Sequence, residues 1–396
     1  MFFHISKKVQ PNFPYNHQTA NFVISLDEGW TKVCDQHGND IWYKGYLDHG
    51  DLQQQAQTLS QELTPTQSGN FCVITVKASG LEIRTDNLRS FPIWYDAITG
   101  LTNLRPLATT VWANNLVTLG NDLTLKQTSF DAIGNIDDSL LSKEQAVNQL
   151  DMLLDNKIKS FIENSTLPLK VFLSGGWDTG LIFSYIKKHT DNYELVRYLH
   201  KECDYFYLKN HGDLKKLWAY HHQIHSWKEP TVLASGAPGD EFTARGPLTA
   251  NLLLLSHGLS IPKLLVDPKF KNGYMYSYYN QEKFITMWNQ QEQEFNKNKQ
   301  SVATAIKTAC NYNLNDWQHW HLGNTLTWTP LRDMEMFKLF ARLEPTALID
   351  QVMNGGIQQE LINRNDATLI EYLSPGKDAT NYMAPLAEYY ISKSLI

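Results

Sequence analysis

Cysteine is scarce in this sequence, and the few cysteines present do not form a metal or disulfide motif. The four residues, Cys34, Cys72, Cys203 and Cys310, lie far apart and include no C-x-x-C pair. Neither a zinc ribbon nor a disulfide framework is therefore indicated. A reducing cytoplasm is the expected setting.

Long apolar runs and an excess of positive charge are also missing. The most apolar stretch, Leu252 to Val266, is interrupted by serine, histidine, glycine, proline and lysine, so it is too polar to span a bilayer. The chain reaches Lys7 and Lys8 before any long apolar run, and no signal peptide is expected. The net charge is −6, whereas a dedicated nucleic-acid binder usually carries a basic excess. We therefore expect neither a membrane nor a nucleic acid as partner.

What is present is enough apolar sequence for about two domains. The chain has 396 residues, of which 42% are hydrophobic, and a domain typically takes roughly 100–200 residues. The first 120 residues predict strands and turns, because short β-branched and aromatic runs alternate with turn residues. These predicted strands are Phe71 to Val76, Leu81 to Thr85 and Pro92 to Tyr95.

The pattern changes near Leu140, where a helix is predicted. Ser142 and Gln145 have the form of a capping box, and apolar residues follow at helical spacing to Ile162. Strands and helices then alternate, which predicts a parallel, doubly wound sheet. The predicted elements are strand Leu169 to Leu173, helix Thr179 to Lys188, strand Glu194 to Leu199, helix Asp213 to His222 and strand Thr231 to Ala234. The polar segment Asn289 to Gln300 predicts a solvated helix face or a loop, and the sequence from Ser301 onward is predicted to be mostly helical.

A glycine-rich turn follows the first strand of this alternating region. Ser174, Gly175 and Gly176 end the strand, and Asp178 and Thr179 open the next helix. Glycine lets the backbone approach a phosphate closely, and a helix N-terminus presents N–H groups to an anion. An aspartate there suits a Mg²⁺ ion that bridges phosphates. The alternative is a plain strand-to-helix turn in which Asp178 caps the helix.

Two motifs together carry a family resemblance. S-G-G-x-D-[ST] at Ser174 to Thr179 resembles the phosphate-binding signature of the N-type ATP pyrophosphatases, and the asparagine synthetase and β-lactam synthetase superfamily in particular. The segment Ser235 to Glu241 (SGAPGDE) is similar to the second signature of that family, S-G-x-G-x-D-E. The resemblance implies an ATP site that includes Ser235 and Gly236 with the first loop, and a Mg²⁺ ion held by Asp178 and Asp240.

The first part of the chain resembles the glutaminase domain of the same family. The resemblance rests on Gly69 to Phe71 and on Thr85 to Asp96. It implies an Ntn-like αββα-type sandwich over residues 1–130, followed by an ATP-pyrophosphatase domain over residues 131–396 with a helical C-terminal part. Family glutaminases carry a cysteine nucleophile at position 2, and Phe2 cannot replace it. We therefore expect a degenerate domain that does not hydrolyse glutamine.

The second domain departs from the family at several positions. Ala237 stands where asparagine synthetases have a glutamate, so the proton acceptor must be another residue. Glu241 is a candidate for this catalytic role, or else a structural partner. Family members usually have a long helical stretch before the second loop, whereas only nine residues separate His225 from Ser235 here. The substrate pocket must therefore be built differently from that of the family. Pro330 to Asp333 resembles a later family segment, with Arg332 in place of an apolar residue.

Lys377 and the histidines are further candidates. Lys377 falls where the family places a lysine that stabilises charge on the acyl-adenylate and pyrophosphate, although a surface lysine in a Gly/Pro turn is the alternative. Two histidine groups invite a metal reading, but no cysteine or carboxylate stands at zinc spacing with them. They are His221, His222 and His225, and His319 with His321.

The resemblance predicts a ligase that uses ATP and Mg²⁺ to adenylylate a carboxylate and to pass the acyl group to an amine or ammonia. The substrates would be small molecules or peptides, as in the cyclisation of a peptide or specialised metabolite. A nucleoside- or tRNA-modifying pyrophosphatase and a non-catalytic nucleotide-binding remnant are the alternatives. The sequence leaves the acid, the amine and the oligomeric state open, including a homodimer.

Overall fold

A computed structural model describes most of the chain. The described residues are 3–48, 69–86, 93–102, 109–111, 115–129, 137, 139–173, 176–196, 227, 229–236, 239–271, 276–280, 282–298 and 325–373. Outside them lie the predicted helix Asp213 to His222, both histidine groups and the candidate residues Ser174, Gly175, Ala237 and Lys377. All structural statements below concern the described residues.

Two six-stranded antiparallel sheets form the first part of the chain. The first sheet has the strand order β10-β8-β9-β1-β3-β2 and the second has the order β12-β11-β7-β6-β5-β4. The strands are β1 (Phe3–Ser6), β2 (Tyr15–Gln18), β3 (Val23–Leu26), β4 (Thr31–Cys34), β5 (Asp40–Leu47), β6 (Gly69–Lys77), β7 (Gly80–Thr85), β8 (Ile93–Asp96), β9 (Gly100–Thr102), β10 (Thr109–Val111), β11 (Asn115–Gly120) and β12 (Leu125–Ser129). The three strands predicted in this region are confirmed as β6, β7 and β8.

One apolar core holds the two sheets together. Alternate residues of a strand point to opposite faces, and Ile5 and Ile24 of the first sheet meet Ile74 and Ile83 of the second in a single buried cluster. Each fully buried side chain of this size contributes about 1.5–3 kcal/mol. The other face of the second sheet is buried as well, with Phe71 in a separate cluster.

A four-stranded parallel sheet forms the centre of the second part. Its order is β14-β13-β15-β16, and all its pairs are parallel. The strands are β13 (Leu169–Phe172), β14 (Glu194–Val196), β15 (Thr231–Ala234) and β16 (Thr325–Trp328). The first three were predicted. The strand β16 was not predicted, while the other described residues after Ser301 are mostly helical, as expected.

Helices surround the parallel sheet. They are α1 (Lys143–Asn164), α2 (Trp177–His189), α3 (Gly239–Phe242), α4 (Pro247–Ser256), α5 (Ile261–Val266), α6 (Tyr276–Tyr279), α7 (Glu282–Asn298), α8 (Met334–Ala341), α9 (Pro345–Asn354) and α10 (Gly356–Asp366), with 3₁₀ turns at Pro268–Phe270 and Ala367–Tyr372. The predicted capping box of α1 is present, since the Ser142 side chain accepts from the Gln145 N–H and the Gln145 side chain accepts from the Ser142 N–H. The polar segment after Asn289 is helical, as part of α7.

A buried ion cluster joins the two parts. Lys157 of α1 lies 2.9 Å from the Asp48 carboxylate, which follows β5, and 2.8 Å from the Asp333 carboxylate. Asp333 also caps α8 by accepting from the backbone N–H groups of Glu335 and Met336. We call Lys157, Asp48 and Asp333 the lysine cluster. It connects the end of an antiparallel strand to two helices that pack around the parallel sheet.

Apolar and hydroxyl contacts reinforce the same junction. The Tyr46 hydroxyl accepts a hydrogen bond from the Thr329 backbone N–H at 3.0 Å. The Phe161 ring stacks on Trp328, with 3.9 Å between ring centroids, and meets the Tyr46 ring edge-on. Burial raises the pKa of Tyr46 to about 12.

The architecture is therefore mixed α/β, with two antiparallel sheets, one parallel sheet and helices. No helix occurs among the described residues before Lys143, so the helical layers of an αββα sandwich stay a prediction. The division at residues 130 and 131 also stays a prediction.

Candidate functional site

The two predicted loops leave neighbouring strands at the same edge of the parallel sheet. Val171 of β13 pairs with Ala234 of β15, and β14 and β16 lie on the outer sides of this pair. The chain order therefore reverses between β13 and β15. In open α/β sheets, such a reversal at the carboxyl ends of the strands is where ligands bind.

The two loops are in direct contact. A Cβ atom placed on Gly236 would lie 2.5 Å from the backbone nitrogen of Thr179, and one placed on Gly239 would lie 2.6 Å from the Asp178 Cγ. A larger residue at position 236 would displace the backbone of α2, and one at position 239 would displace the Asp178 and Leu331 side chains. The structure thus brings Gly236 and the first turn of α2 together, as the shared crevice predicted from the sequence requires.

The first loop presents the N-terminus of α2. Gly176 is the N-cap residue, the Thr179 hydroxyl donates to the Gly176 carbonyl at 3.1 Å, and Asp178 lies in the first turn. A helix start carries a partial positive charge and attracts anions. Ser174 and Gly175 lie outside the described residues.

The second loop is anchored to the strand that sequence reasoning missed. The Ser235 N–H donates to the Trp328 carbonyl at 2.8 Å, and Ser235 is buried. The Gly239 N–H donates to the Gly236 carbonyl at 2.7 Å, which closes the turn. Ser235 and Gly236 are therefore fixed at the crevice, and Asp240 follows in the short helix α3.

A guanidinium lies between the two aspartates. Arg245 Nη2 is 3.3 and 3.2 Å from the two Asp178 carboxylate oxygens and 2.5 Å from Asp240 Oδ1. The Arg245 side chain is 4% exposed, Asp178 is 15% exposed and Asp240 is 55% exposed. We call Arg245, Asp178 and Asp240 the arginine cluster. It is buried on one side and open to solvent at Asp240.

Glutamine side chains of α9 and α10 support Asp178. The Gln358 amide donates to Asp178 Oδ1 at 2.5 Å. Gln351 donates to the Gln358 side-chain oxygen at 3.3 Å and to the Thr243 carbonyl at 2.7 Å. Both glutamines are fully buried. This relay fixes the orientation of the Asp178 carboxylate.

Opposing influences act on the ionisation of Asp178. Burial, and then the nearby Asp240 carboxylate, raise the pKa of Asp178 well above its ordinary value, while the Arg245 guanidinium and the Gln358 amide act in the opposite direction. Burial and the Asp240 carboxylate thus outweigh the guanidinium and the amide in their effect on the pKa of Asp178.

The Glu241 side chain contacts the start of α4. Its carboxylate accepts a hydrogen bond from the Thr249 hydroxyl, and its carboxyl atoms would lie within 2.4 Å of a Cβ atom on Gly246, the N-cap residue of α4. A carboxylate at a helix start is stabilising. This position favours the structural role for Glu241 over the role of proton acceptor. Ala237 lies outside the described residues.

The segment Pro330 to Asp333 lies between the two charge clusters. Leu331 packs behind the second loop, where a Cβ atom on Gly239 would lie 2.7 Å from its Cδ1. Arg332 is buried, and Asp333 belongs to the lysine cluster. This segment thus has two structural roles: Leu331 packs behind the second loop, and Asp333 belongs to the lysine cluster.

Sequence reasoning missed Arg245 and Gln358. Arg245 follows Asp240 by five residues, and a basic residue so close to a candidate metal ligand was the available signal. Gln358 gave none, because it reaches Asp178 from 180 residues along the chain.

The donor set suits a magnesium ion, although Arg245 holds the position. Two carboxylates from separate loops converge on one cation, and hard oxygen donors are what Mg²⁺ prefers. Asp178 and Asp240 therefore fit such an ion if Arg245 leaves. Within the described ranges, no group of three or more His, Cys, Asp or Glu side chains is placed to hold a metal ion.

Neither protein-family models nor curated proteins resemble this chain significantly. Among the helices that the structure describes, none is both long enough and apolar enough to cross a membrane.

Proposed function

We propose that this chain is an ATP-dependent, AMP-forming carbon–nitrogen ligase of the asparagine synthetase type. The observation that carries the proposal is the meeting of two loops at adjacent parallel strand ends, each with the motif of an ATP pyrophosphatase. Asp178 and Asp240, one from each loop, converge on a single cation. An accidental motif match would not be expected to place both aspartates in one cluster.

The nucleotide phosphates would lie against the first turn of α2. Gly176 and Thr179 provide the helix start, and Ser235 and Gly236 form the opposite wall. Ser174 and Gly175 complete the loop in this proposal. A magnesium ion on Asp178 and Asp240 would neutralise phosphate charge when bound.

The reaction has two balanced steps. A substrate carboxylate oxygen attacks the α-phosphorus of ATP, the bond to the β-phosphate oxygen breaks, and pyrophosphate leaves. The amine nitrogen then attacks the acyl carbon, AMP leaves with the electron pair of the broken C–O bond, and the nitrogen loses a proton. The glycine loops position the polyphosphate for the first step, because orientation supplies much of the rate enhancement in such transfers.

Lys377 is the proposed cation for the developing charge. The last described residue, Leu373, packs on α2, since a Cβ atom on Gly180 would lie 2.5 Å from its side chain. Lys377 itself lies outside the described residues, and its role is proposed from the sequence resemblance. The proton acceptor for the amine stays unassigned, because Glu241 already binds Thr249.

The antiparallel part fits the proposal of a degenerate glutaminase-like domain over residues 1–130. Two stacked antiparallel sheets with one core between them are consistent with such a sandwich. Without a cysteine at position 2, we propose that the nitrogen comes from ammonia, a substrate amine or an internal amine.

Arg245 favours a second candidate, a non-catalytic nucleotide-binding remnant. A guanidinium bonded to both carboxylates occupies oxygens that a metal ion would need. If it never moves, phosphoryl chemistry with a metal at this position is blocked.

Pyrophosphate release tests the proposal. Purified protein is incubated with Mg-ATP and pools of carboxylic acids, peptides and amines. We expect release that depends on an acid and falls about 100-fold or more in Asp178→Ala, the scale expected when a charge-stabilising group is lost from a transition state. Asp191→Ala, which removes an exposed aspartate beyond the end of α2, should behave as wild type.

The other outcomes separate the alternatives. Release that depends on RNA would favour a nucleoside- or tRNA-modifying pyrophosphatase. ATP binding by calorimetry without turnover would favour the non-catalytic remnant. If the protein neither releases pyrophosphate nor binds ATP, the result contradicts the ligase proposal and both nucleotide-binding alternatives.

A further inference from the structure

The position of Arg245 is built into the fold. Its backbone N–H donates to the Asp240 carbonyl at 2.8 Å, and the Tyr279 hydroxyl donates to its carbonyl. Ala244, immediately before it, has a φ of +59°, a left-handed conformation that costs energy in a residue other than glycine. The backbone is thus held in an unfavourable turn that sets the direction of Arg245.

The surrounding structure also leaves room for the Arg245 side chain. The side chain runs past Gly355, where a Cβ atom would lie 3.5 Å from Nη1 and 3.6 Å from Cδ. Gly355 ends α9 with a φ of +67°, and glycine both allows this conformation and leaves room for the guanidinium. The arginine is therefore seated by surrounding structure at its base, along its stem and at its head.

The charges of the arginine cluster call for a cation. Asp178 and Asp240 come close enough to share one nitrogen of Arg245, and two negative charges at this separation repel each other unless a positive charge lies between them. Arginine stays protonated at any relevant pH. Arg245 therefore meets this need in the absence of any ion.

A metal ion and Arg245 would compete for the same carboxylate oxygens. Mg²⁺ takes its oxygen ligands at about 2.0–2.1 Å, whereas Arg245 Nη2 already lies 2.5 Å from Asp240 Oδ1 and 3.2 Å from Asp178 Oδ2. The two cations would overlap or repel. The exposed side of the cluster, at Asp240, is the side from which an ion can enter.

We propose that Arg245 is a resident cation that competes with divalent metal ions for Asp178 and Asp240. Metal binding without nucleotide is then weak, and a metal ion enters only as the guanidinium leaves the carboxylates. This inference rests on the contacts of the arginine cluster and holds whether or not the chain is a ligase.

Manganese binding in the absence of nucleotide tests the competition. Mn²⁺ is titrated into the full chain and followed by electron paramagnetic resonance. We expect Arg245→Met to bind one Mn²⁺ about tenfold more tightly than wild type, a factor within the usual range for coupling between two ligands. Arg245→Lys keeps the charge, but lysine cannot bridge two carboxylates as the planar guanidinium does. The Mn²⁺ affinity of this variant should therefore lie between those of wild type and Arg245→Met. Equal affinity in all three proteins would overturn the proposal.

Thermal melting gives a readout that does not depend on metal affinity alone. Without metal, Arg245→Met should melt below wild type, because a buried carboxylate has lost its cation. MgCl₂ should restore the melting temperature, and KCl at equal ionic strength should not. The double variant Asp178→Asn/Arg245→Met should lose most of the magnesium effect. A folded Arg245→Met protein that magnesium does not stabilise would contradict the competition.

Two controls keep the result interpretable. Arg364→Met removes an arginine of α10 that pairs with Glu360 at the surface, and it should change neither manganese binding nor melting. If Arg245→Met does not fold with or without Mg²⁺, Arg245→Lys decides the test, since tighter Mn²⁺ binding supports the proposal and unchanged binding overturns it. None of these measurements involves ATP, so failed ligase chemistry and failed cation competition are distinguishable.

Discussion

The lysine cluster and the arginine cluster contain the same charges in different surroundings. Each has one cation between two aspartates from distant parts of the chain. In the lysine cluster, Lys157, Asp48 and Asp333 are at most 4% exposed, whereas Asp240 of the arginine cluster is 55% exposed. A closed cluster has no path for an ion, and its cation is permanent. An open cluster allows another cation to enter.

The clusters also differ in what they connect. The lysine cluster links β5 to α1 and α8, next to the Tyr46 and Trp328 contacts, and so fixes the antiparallel part against the parallel sheet. The arginine cluster links two loops that face the predicted ligand crevice. Burial, more than charge composition, therefore separates a structural ion cluster from an exchangeable one.

The largest expected effect is the loss of the closed cation. Lys157→Met roughly keeps the volume of the side chain but removes the positive charge that lies 2.9 and 2.8 Å from two buried carboxylates, and we expect destabilisation by about 3–5 kcal/mol. The measurement is the midpoint of urea denaturation at neutral pH. Because no ion can enter, MgCl₂ should not restore stability, unlike in Arg245→Met.

If MgCl₂ restored the stability of Lys157→Met, the distinction between a closed lysine cluster and an open arginine cluster would be wrong. This result would mean that solvent reaches the lysine cluster after all. Lys159→Met is a matched control, since Lys159 of the same helix forms only an exposed pair with Glu163. Its stability should change by less than about 0.5 kcal/mol.

An intermediate effect is expected from acid. Although burial opposes it, the attraction of Lys157, with hydrogen bonds, lowers the pKa of Asp333 below its ordinary value. A carboxyl with a lowered folded-state pKa contributes stability that is present above the unfolded pKa and is lost as pH falls through the folded value. The difference in free energy of unfolding between wild type and Asp333→Asn should therefore shrink as pH falls below about 3.9.

Asp333→Asn is a clean comparison for this profile, because asparagine is as good an N-cap as aspartate. Urea midpoints for both proteins from pH 7 to pH 2.5 give the difference directly. A difference that stays constant through the acid range would show that the ionisation of Asp333 contributes nothing.

The smallest effect is expected at the open side of the arginine cluster. Asp240→Asn removes a half-exposed charge whose solvation already weakens its ion pair, and it should cost less than about 1 kcal/mol of stability. Arg245 keeps Asp178 as a partner. Urea denaturation measures the change, and a loss as large as that of Lys157→Met would show that exposure does not separate the two clusters.

The local elements of the fold were predictable from the sequence. The capping box at Ser142 and the strand Thr231–Ala234 rest on neighbouring residues, and the structure has both. The strand Thr325–Trp328 was missed because four residues without turn signals do not establish a period. Its place in the sheet is set by pairing with β15, which no local pattern reports.

The ion clusters show where sequence reasoning ends. Lys157 lies on the buried face of α1, although charged residues are almost never fully buried unless paired. Its partners are 109 and 176 residues away along the chain. The loops were found because a motif is local, whereas Arg245 and Gln358 gained their roles only through long-range packing.

The close approach of Gly236 to Thr179 has a mechanical consequence. Since a methyl group cannot fit between the second loop and the backbone of α2, neither can slide past the other. A displacement of one wall would therefore press on the other. A ligand that ordered one wall would restrict the other as well, and the entropic cost of ordering the crevice would be shared between them.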